Sequence, residues 1–441
     1  MDFKQMYQEK LVSAEKAASV IKSGDWVDYG WTTATPIAVD KEIAKRLPEL
    51  TDVNFRGGIL MWVPEIFKIE NPAEHMTWNS WHMGGIERKA IAQGFSYYAP
   101  IRYSELPRYY RESQNKPDVA VFQVSPMDEH GFFNFGPNAS HMAAVCETSK
   151  VVIVEVNENM PVCFGGTEEG VHISHVDMIV EGDNPAIAEM GGAAAASDVD
   201  EAVAKLILEE IPDGAVLSLG VGGVPFTVAN MLAQSDKTDL GCHTGTISDA
   251  FLALYKAGKL TNKKKEIDNG YSTWNLAMGS QELYDWLDNE PQLFHPADVD
   301  YVHSPYRIGE MKNVISINGG VELDLMGQEN AESAGTRQLS GIGGQMDFLE
   351  GAFRSEGGKG FICLASTHKK KDGSLKSNIV PFIPGGSTVS APRTMIQYVA
   401  TEYGIAKLTG LTLKERADAM IAIAHPDFRD ELRRYAEENF K

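Results

Sequence analysis

Two glycine turns, a His-Thr pair and three acidic residues are the parts of this chain whose types and spacing could do chemistry. In LGVGGVP (Leu219 to Pro225), Gly220, Gly222 and Gly223 present backbone amides with no Cβ to hold a ligand away, and Val224 adds a further N–H. The apolar VLSL before them, ending in Ser218 and Leu219, reads as a buried strand. Such a turn cradles an anion or a developing oxyanion, with a tight turn that holds nothing as the plain alternative. Further along, GCHTGTISDA (Gly241 to Ala250) places His243 and Thr244 before Gly245 and just ahead of an apolar-periodic helix, ISDAFLALYKAG. A side chain at position 245 would then leave a helix amino terminus, well placed for nucleophilic attack, and glycine has none to offer. Asp249 lies four residues on, one helical turn away and on roughly the same face. Glu329 and Glu332 belong to GQENAESAG, a polar, glycine-bounded loop after a strand. His243 could polarise a carbonyl or simply be a hydrogen-bonded structural residue.

The second glycine turn is GIGGQMDF (Gly341 to Phe348), where Gly341, Gly343 and Gly344 feed an apolar element and Gln345 and Asp347 either bond a ligand or cap a helix. PMDEHGFFNFG (Pro126 to Gly136) joins His130 to Phe132, Phe133, Asn134 and Phe135, either as a pocket wall or as core aromatics. Trp31 has the same two readings. Lys369 to Lys371 look first like a solvated hairpin tip and second like a phosphate site, and Lys376 and Arg393 are equally open.

The elements that must position these residues come twice. Glu15 to Pro36 and Asp200 to Pro225 each run as apolar-periodic helix, glycine turn (Gly24, Gly214), hydrophobic strand and small-residue turn closing on proline (Pro36, Pro225). Lys116 to Gly136 and Lys312 to Gly335 form a second such pair. Helices alternating with strands such as VVIVEV (Val151 to Val156) and GFICLA (Gly360 to Ala365) predict an α/β fold of mostly parallel sheets. Two tandem, related α/β domains follow, residues 1–195 and 196–441, with the linker near Gly191 to Asp200. The amino terminus reads as one amphipathic helix. The last segment is helical with a break at Pro426.

Composition narrows the classes. At 441 residues, two cores are expected, and 43% hydrophobic with 23% charged residues is ordinary for a soluble enzyme. A formal charge of -21 argues against a general nucleic-acid or membrane-surface role, yet leaves room for an anionic ligand held by a few local cations. Cys146, Cys163, Cys242 and Cys363 have neither disulfide-framework nor zinc spacing, so they read as reduced thiols and no metal is indicated. No signal peptide or membrane-span length appears, and a cytoplasmic location is expected.

These glycine turns, with AESAGTRQLSGIGGQMDF (Ala331 to Phe348), VATEYGIAKLTG (Val399 to Gly410), AHPDFR (Ala424 to Arg429), Trp78 to His82 and Pro126 to Phe135, resemble in order the acetyl-CoA hydrolase/transferase family. The resemblance runs nearly end to end and is strongest to its butyryl-CoA:acetate and 4-hydroxybutyrate CoA-transferases. It implies the family I CoA-transferase architecture, coenzyme A as substrate with no prosthetic group, small-molecule acyl-CoA and carboxylate partners, and a homodimer or larger homo-oligomer. It also implies that Gly220, Gly222, Gly223, Val224, Gly341, Gly343, Gly344 and Gln345 serve the coenzyme A side. Trp31, His130, Phe133, Asn134 and Ser218 would serve the acyl pocket. In the family a glutamate follows the His-Thr pair and carries coenzyme A as a thioester; here that position is Gly245. Ser218 stands where a glutamine is usual and Asn378 where an arginine is. The expected activity is short-chain acyl-CoA:carboxylate CoA transfer with an altered nucleophile position, Glu332 or Asp249 being the candidate substitutes, in that order. A thioesterase, an acyltransferase or a non-catalytic acyl-CoA-binding protein is the alternative.

Overall fold

A computed structural model describes residues 2–190 and 195–440. The linker expected near 191–200 begins on residues 191–194, outside the described residues. Contacts divide the chain into two compact units, residues 1–191 with 273–302, and residues 192–272 with 303–441. The stretch 273–302, which a boundary at 195 assigns to the second domain, therefore clusters with the first.

In the first unit, strand Trp26–Asp28 lies between Val53–Gly57 and Val119–Val124, and every pairing in its seven-stranded sheet is parallel. From Trp26–Asp28 the chain adds Val53–Gly57, Met76–Ser80 and Ser96–Tyr98 outward on one side. It then returns to lay Val119–Val124, Val151–Val156 and Met178–Glu181 on the other. Strand alternation sorts the core: Val119 and Val121 join one apolar cluster, Ala120, Phe122 and Val124 the other. The stretch 273–302 is tied to this unit through Ala277 N–H to the Pro137 carbonyl (2.8 Å) and Ser140 N–H to the Asn275 carbonyl (2.9 Å).

The second unit repeats the plan. Strand Val216–Leu219 lies between Gly241–Ile247 and Val314–Gly319, with Lys359–Cys363 and Tyr398–Thr401 laid beyond the latter, these pairings all parallel, before an antiparallel Gly404–Lys407. The duplicated segments thus occupy matching places in two sheets. In each, the strand order reverses beside the first strand, and in open α/β sheets ligands bind outside the carboxyl ends of the strands at such a reversal.

Two local expectations change. The amino-terminal helix is two, Phe3–Lys10 and Ala14–Ala18. Leu11 bridges to Ile179 and the Ser13 hydroxyl caps the second, so pairing to the sheet outcompetes a continued helix. Gly245 lies inside strand Gly241–Ile247, and the helix begins only at Asp249. The β-branched Thr244, Thr246 and Ile247 favour the extended chain. Residue 245 therefore shares a strand face with His243, and the helical spacing to Asp249 does not hold.

Candidate active site

The two reversal points differ in one decisive way. In the first unit, helix Ala38–Arg46 starts after the turn that follows Trp26–Asp28, and its amino-terminal amides are occupied. Ile37, Ala38 and Val39 donate to both carboxylate oxygens of buried Glu155 at 2.9 to 3.2 Å. Glu155 reaches them because it stands on Val151–Val156, opposite Gln123. Burial holds its carboxyl above the ordinary range, against the pull of these three amides. The helix end that would hold an anion is filled from within.

Setting Pro36 on Pro225 sets Asp28 on Leu217, and the registers then carry Glu155 onto Ile362. The second unit has an aliphatic side chain where the first has the plugging carboxylate. Its turn is also built for close approach. Gly220 donates to the Ile317 carbonyl at 2.9 Å, Gly222 has φ 151°, and Val221 is 61% exposed. A Cβ on Gly223, at the start of helix Gly223–Gln234, would lie 2.8 Å from both carboxylate oxygens of Asp200 and would displace that side chain. Ser218 is buried at the end of the strand, in register with Ser316.

Beyond the carboxyl end of Val314–Gly319 sits Glu329. It is in a short strand, not the open loop expected, and fully buried, with Oε1 accepting from the Gln345 side-chain amide at 2.6 Å. The GQENAESAG and GIGGQMDF segments are thus joined through this hydrogen bond. Burial, reinforced by nearby Glu332, pushes the Glu329 carboxyl up to about 8, although Gln345 pulls the other way. Glu332 is buried as well, and its carbonyl accepts from Leu339 and Ser340. The folded pKa of Glu329 exceeds its unfolded value of about 4.3, so the stability its proton contributes is full below about 4.3, is lost progressively as pH rises from there, and is gone above about 8. Glu329→Gln, which copies the neutral acid, is expected to match the wild-type melting temperature near pH 4 and exceed it increasingly up to about pH 8; a constant difference across that range would refute the protonated acid.

Gln345 opens helix Gln345–Arg354 after Gly343 (φ 53°) and Gly344. A Cβ on Gly344 would lie 1.9 Å from the His303 ring. His303 faces Asp347 (Nδ1 to Oδ2, 3.5 Å), and Phe348 has its ring 4.9 Å from that of His303 and 6.3 Å from that of His243. His243 and Asp347 are fully buried. Lysine 265 is buried too. It donates to the Cys242 carbonyl at 2.9 Å and the Tyr271 carbonyl at 2.7 Å, fastening the strand one residue before His243, and burial lowers its pKa to about 8. His303, Lys265 and Glu155 have no motif around them; the sole sequence trace of His303 is the glycine at 344 that it requires.

Other expected residues fall elsewhere. Trp31 and Phe133 are core, Trp31 stacked 5.8 Å from Tyr103. Asn134 is buried and locked to the backbone of Gly136 and Cys163, whereas His130 is exposed beside Glu129. Asn378 bonds His368 and the Ala365 carbonyl, and Lys376 lies 3.8 Å from Glu322. The VATEYG and AHPDFR motifs hold one another: Thr401 donates to the Ile423 carbonyl, and the Arg429 guanidinium lies 5.6 Å over the Tyr403 ring. Among the described residues no group of three or more His, Cys, Asp or Glu is placed to hold a metal, and no helix is long and apolar enough to cross a membrane.

Residues 1–190 match the acetyl-CoA hydrolase/transferase N-terminal domain and residues 279–436 its C-terminal domain. The chain is 57% identical to the butyryl-CoA:acetate CoA-transferase of Anaerostipes caccae, over 99% of this chain and 98% of that one. It is 37% identical to the 4-hydroxybutyrate coenzyme A transferase of Clostridium kluyveri, over 98% of each. Among solved structures, RipA from Yersinia pestis is similar at a TM-score of 0.90 (33% identity, 100% of both chains), and a 4-hydroxybutyrate CoA-transferase from Porphyromonas gingivalis at 0.80 (32%, 100% of both). With both family domains matched in order and relatives of this identity along its whole length, the chain belongs to the acetyl-CoA hydrolase/transferase family.

Proposed function

We propose that this protein is an acyl-CoA:carboxylate CoA-transferase acting on short-chain acyl-CoA, of the butyryl-CoA/acetate or 4-hydroxybutyrate type. The observation that carries it is the end-to-end identity to a butyryl-CoA:acetate CoA-transferase. The helix start at Gly222 to Val224 supports it, because Ile362 stands where the first unit has Glu155 and the Asp200 carboxylate beside Gly223 accepts from Ser197. These amides face the thioester oxygen as negative charge develops on it.

Position 245 lacks a carboxylate, and Glu329 and Glu332 are buried. We infer that the acceptor carboxylate itself attacks the thioester carbon. The C–S bond breaks, a mixed anhydride forms and coenzyme A leaves as thiolate. The thiolate then attacks the acceptor's carbonyl in the anhydride, and the donor acid departs as carboxylate. No proton or electron is left over.

Intact-protein mass after brief incubation with butyryl-CoA, run beside a free-thiol assay and a coenzyme A exchange assay with and without acetate, tests this. Exchange that needs acetate, with no covalent adduct, is expected. An adduct mapped to Glu332 or Asp249 would assign the nucleophile to that residue, thiol released without acceptor would make the protein a thioesterase, and no exchange would remove the transferase reading.

A further inference from the structure

The first unit carries a cleft of about 730 Å³ that contains none of the residues given roles in the proposed transfer step. Its apolar surface includes Phe132 and Phe164, 45% and 42% exposed, which are large side chains to leave in water. Around them stand five carboxylates, Asp128, Glu158, Glu168, Glu169 and Asp288, and no lysine, arginine or histidine among the described residues lines the cleft. Burial raises the Glu169 carboxyl above its usual range, a cost that an arriving cation relieves. Shape and charge together fit a segment carrying several ammonium groups beside an aliphatic side chain.

The chain holds such a segment. It has two Lys-Lys-Lys runs, and in the first, 263–265, Lys265 is internal. The second, Lys369 to Lys371, is wholly exposed on a hairpin whose strands, Thr367–Lys369 and Leu375–Ser377, pair antiparallel. The tip closes with Lys370 N–H to the Ser374 carbonyl and Gly373 N–H to the Lys370 carbonyl. Leu375 beside it is 41% exposed. Copies with a formal charge of -21 repel one another, so their association calls for a local cationic element, and this hairpin supplies one.

We propose that the lysine hairpin at residues 367–377 of one copy docks in the acidic, phenylalanine-lined cleft of a second copy of this chain. The ammonium groups meet the carboxylate rim while Leu375 covers exposed phenylalanine. Exchanged reciprocally, the two contacts are equal and close a dimer.

Sedimentation velocity on the full chain tests it with two charge-reversed variants, Lys369→Glu/Lys370→Glu/Lys371→Glu and Glu158→Lys/Glu168→Lys, all at exposed positions and checked for wild-type melting. Wild type is expected to associate, and each variant alone to associate about tenfold more weakly or worse. An equimolar mixture is expected to recover association, because each reversed hairpin meets a reversed cleft and each native hairpin a native cleft. A monomeric wild type, wild-type association in both variants, or a mixture that stays apart would overturn the proposal. So would a hairpin variant that keeps its association but loses about tenfold in coenzyme A affinity, since its lysines would then serve phosphates.

Discussion

Gly245→Glu is expected to raise the rate of coenzyme A exchange by on the order of a thousandfold and to leave coenzyme A covalently attached at position 245. The strand face that carries residue 245 also carries His243, and position 245 is only half covered, so a carboxylate there is reachable. A tethered carboxylate replaces one that must be recruited from solution, and holding a nucleophile in attack geometry removes much of the entropic part of the barrier. Intact-protein mass with butyryl-CoA reads the adduct, and exchange at saturating acetate reads the rate. An adduct without faster exchange would mean that a later step limits turnover. Neither adduct nor acceleration would mean that position 245 does not face the thioester, and the resemblance at this position would have misled.

Glu155→Ala is expected to destabilise the first unit by on the order of 3–5 kcal/mol, with partial recovery in millimolar acetate or formate. The substitution strips three amides, that of Val39 buried and those of Ile37 and Ala38 half-buried, of their acceptor at once and leaves a helix amino terminus unfilled. A small carboxylate entering the hole restores those bonds, whereas chloride at equal ionic strength does not. Chemical denaturation with each salt gives the measurement. A loss below about 1 kcal/mol would show the amides finding other partners. Glu155→Gln is expected to fall between, because one oxygen still accepts while its amide group opposes the remaining N–H donors.

Much of this was legible in the sequence, and the reasons are local. Helix and strand periods in residues 15–36 and 200–225 foretold the duplication, and the prolines that close both turns supply the alignment by which Glu155 falls on Ile362. The glycine turns were visible because φ near 151° at Gly222 disfavours any residue with a Cβ and the His303 ring against Gly344 leaves no room for one. What escaped was produced by register. Glu155 and Ile37 are 118 residues apart, and nothing near either announces the other. Lysine 265 sits in a Lys-Lys-Lys run, 263–265, with nothing beside it to mark the strand that it fastens. Gly245 was expected near a helix start because ISDAFLALYKAG is strongly periodic, yet three β-branched neighbours held the strand to Ile247.

The return of residues 273–302 to the first unit has an optical consequence. The chain has seven tryptophans, and Trp26, Trp31, Trp62, Trp78, Trp81, Trp274 and Trp286 all belong to that unit. Five of them, including Trp274 and Trp286 from the returning stretch, are buried. Indole emission therefore reports first on that unit, and the unit bearing Gly222 and Gly245 contributes no indole of its own. A tryptophan trace that lags or leads circular dichroism would resolve the two unfolding events without any label.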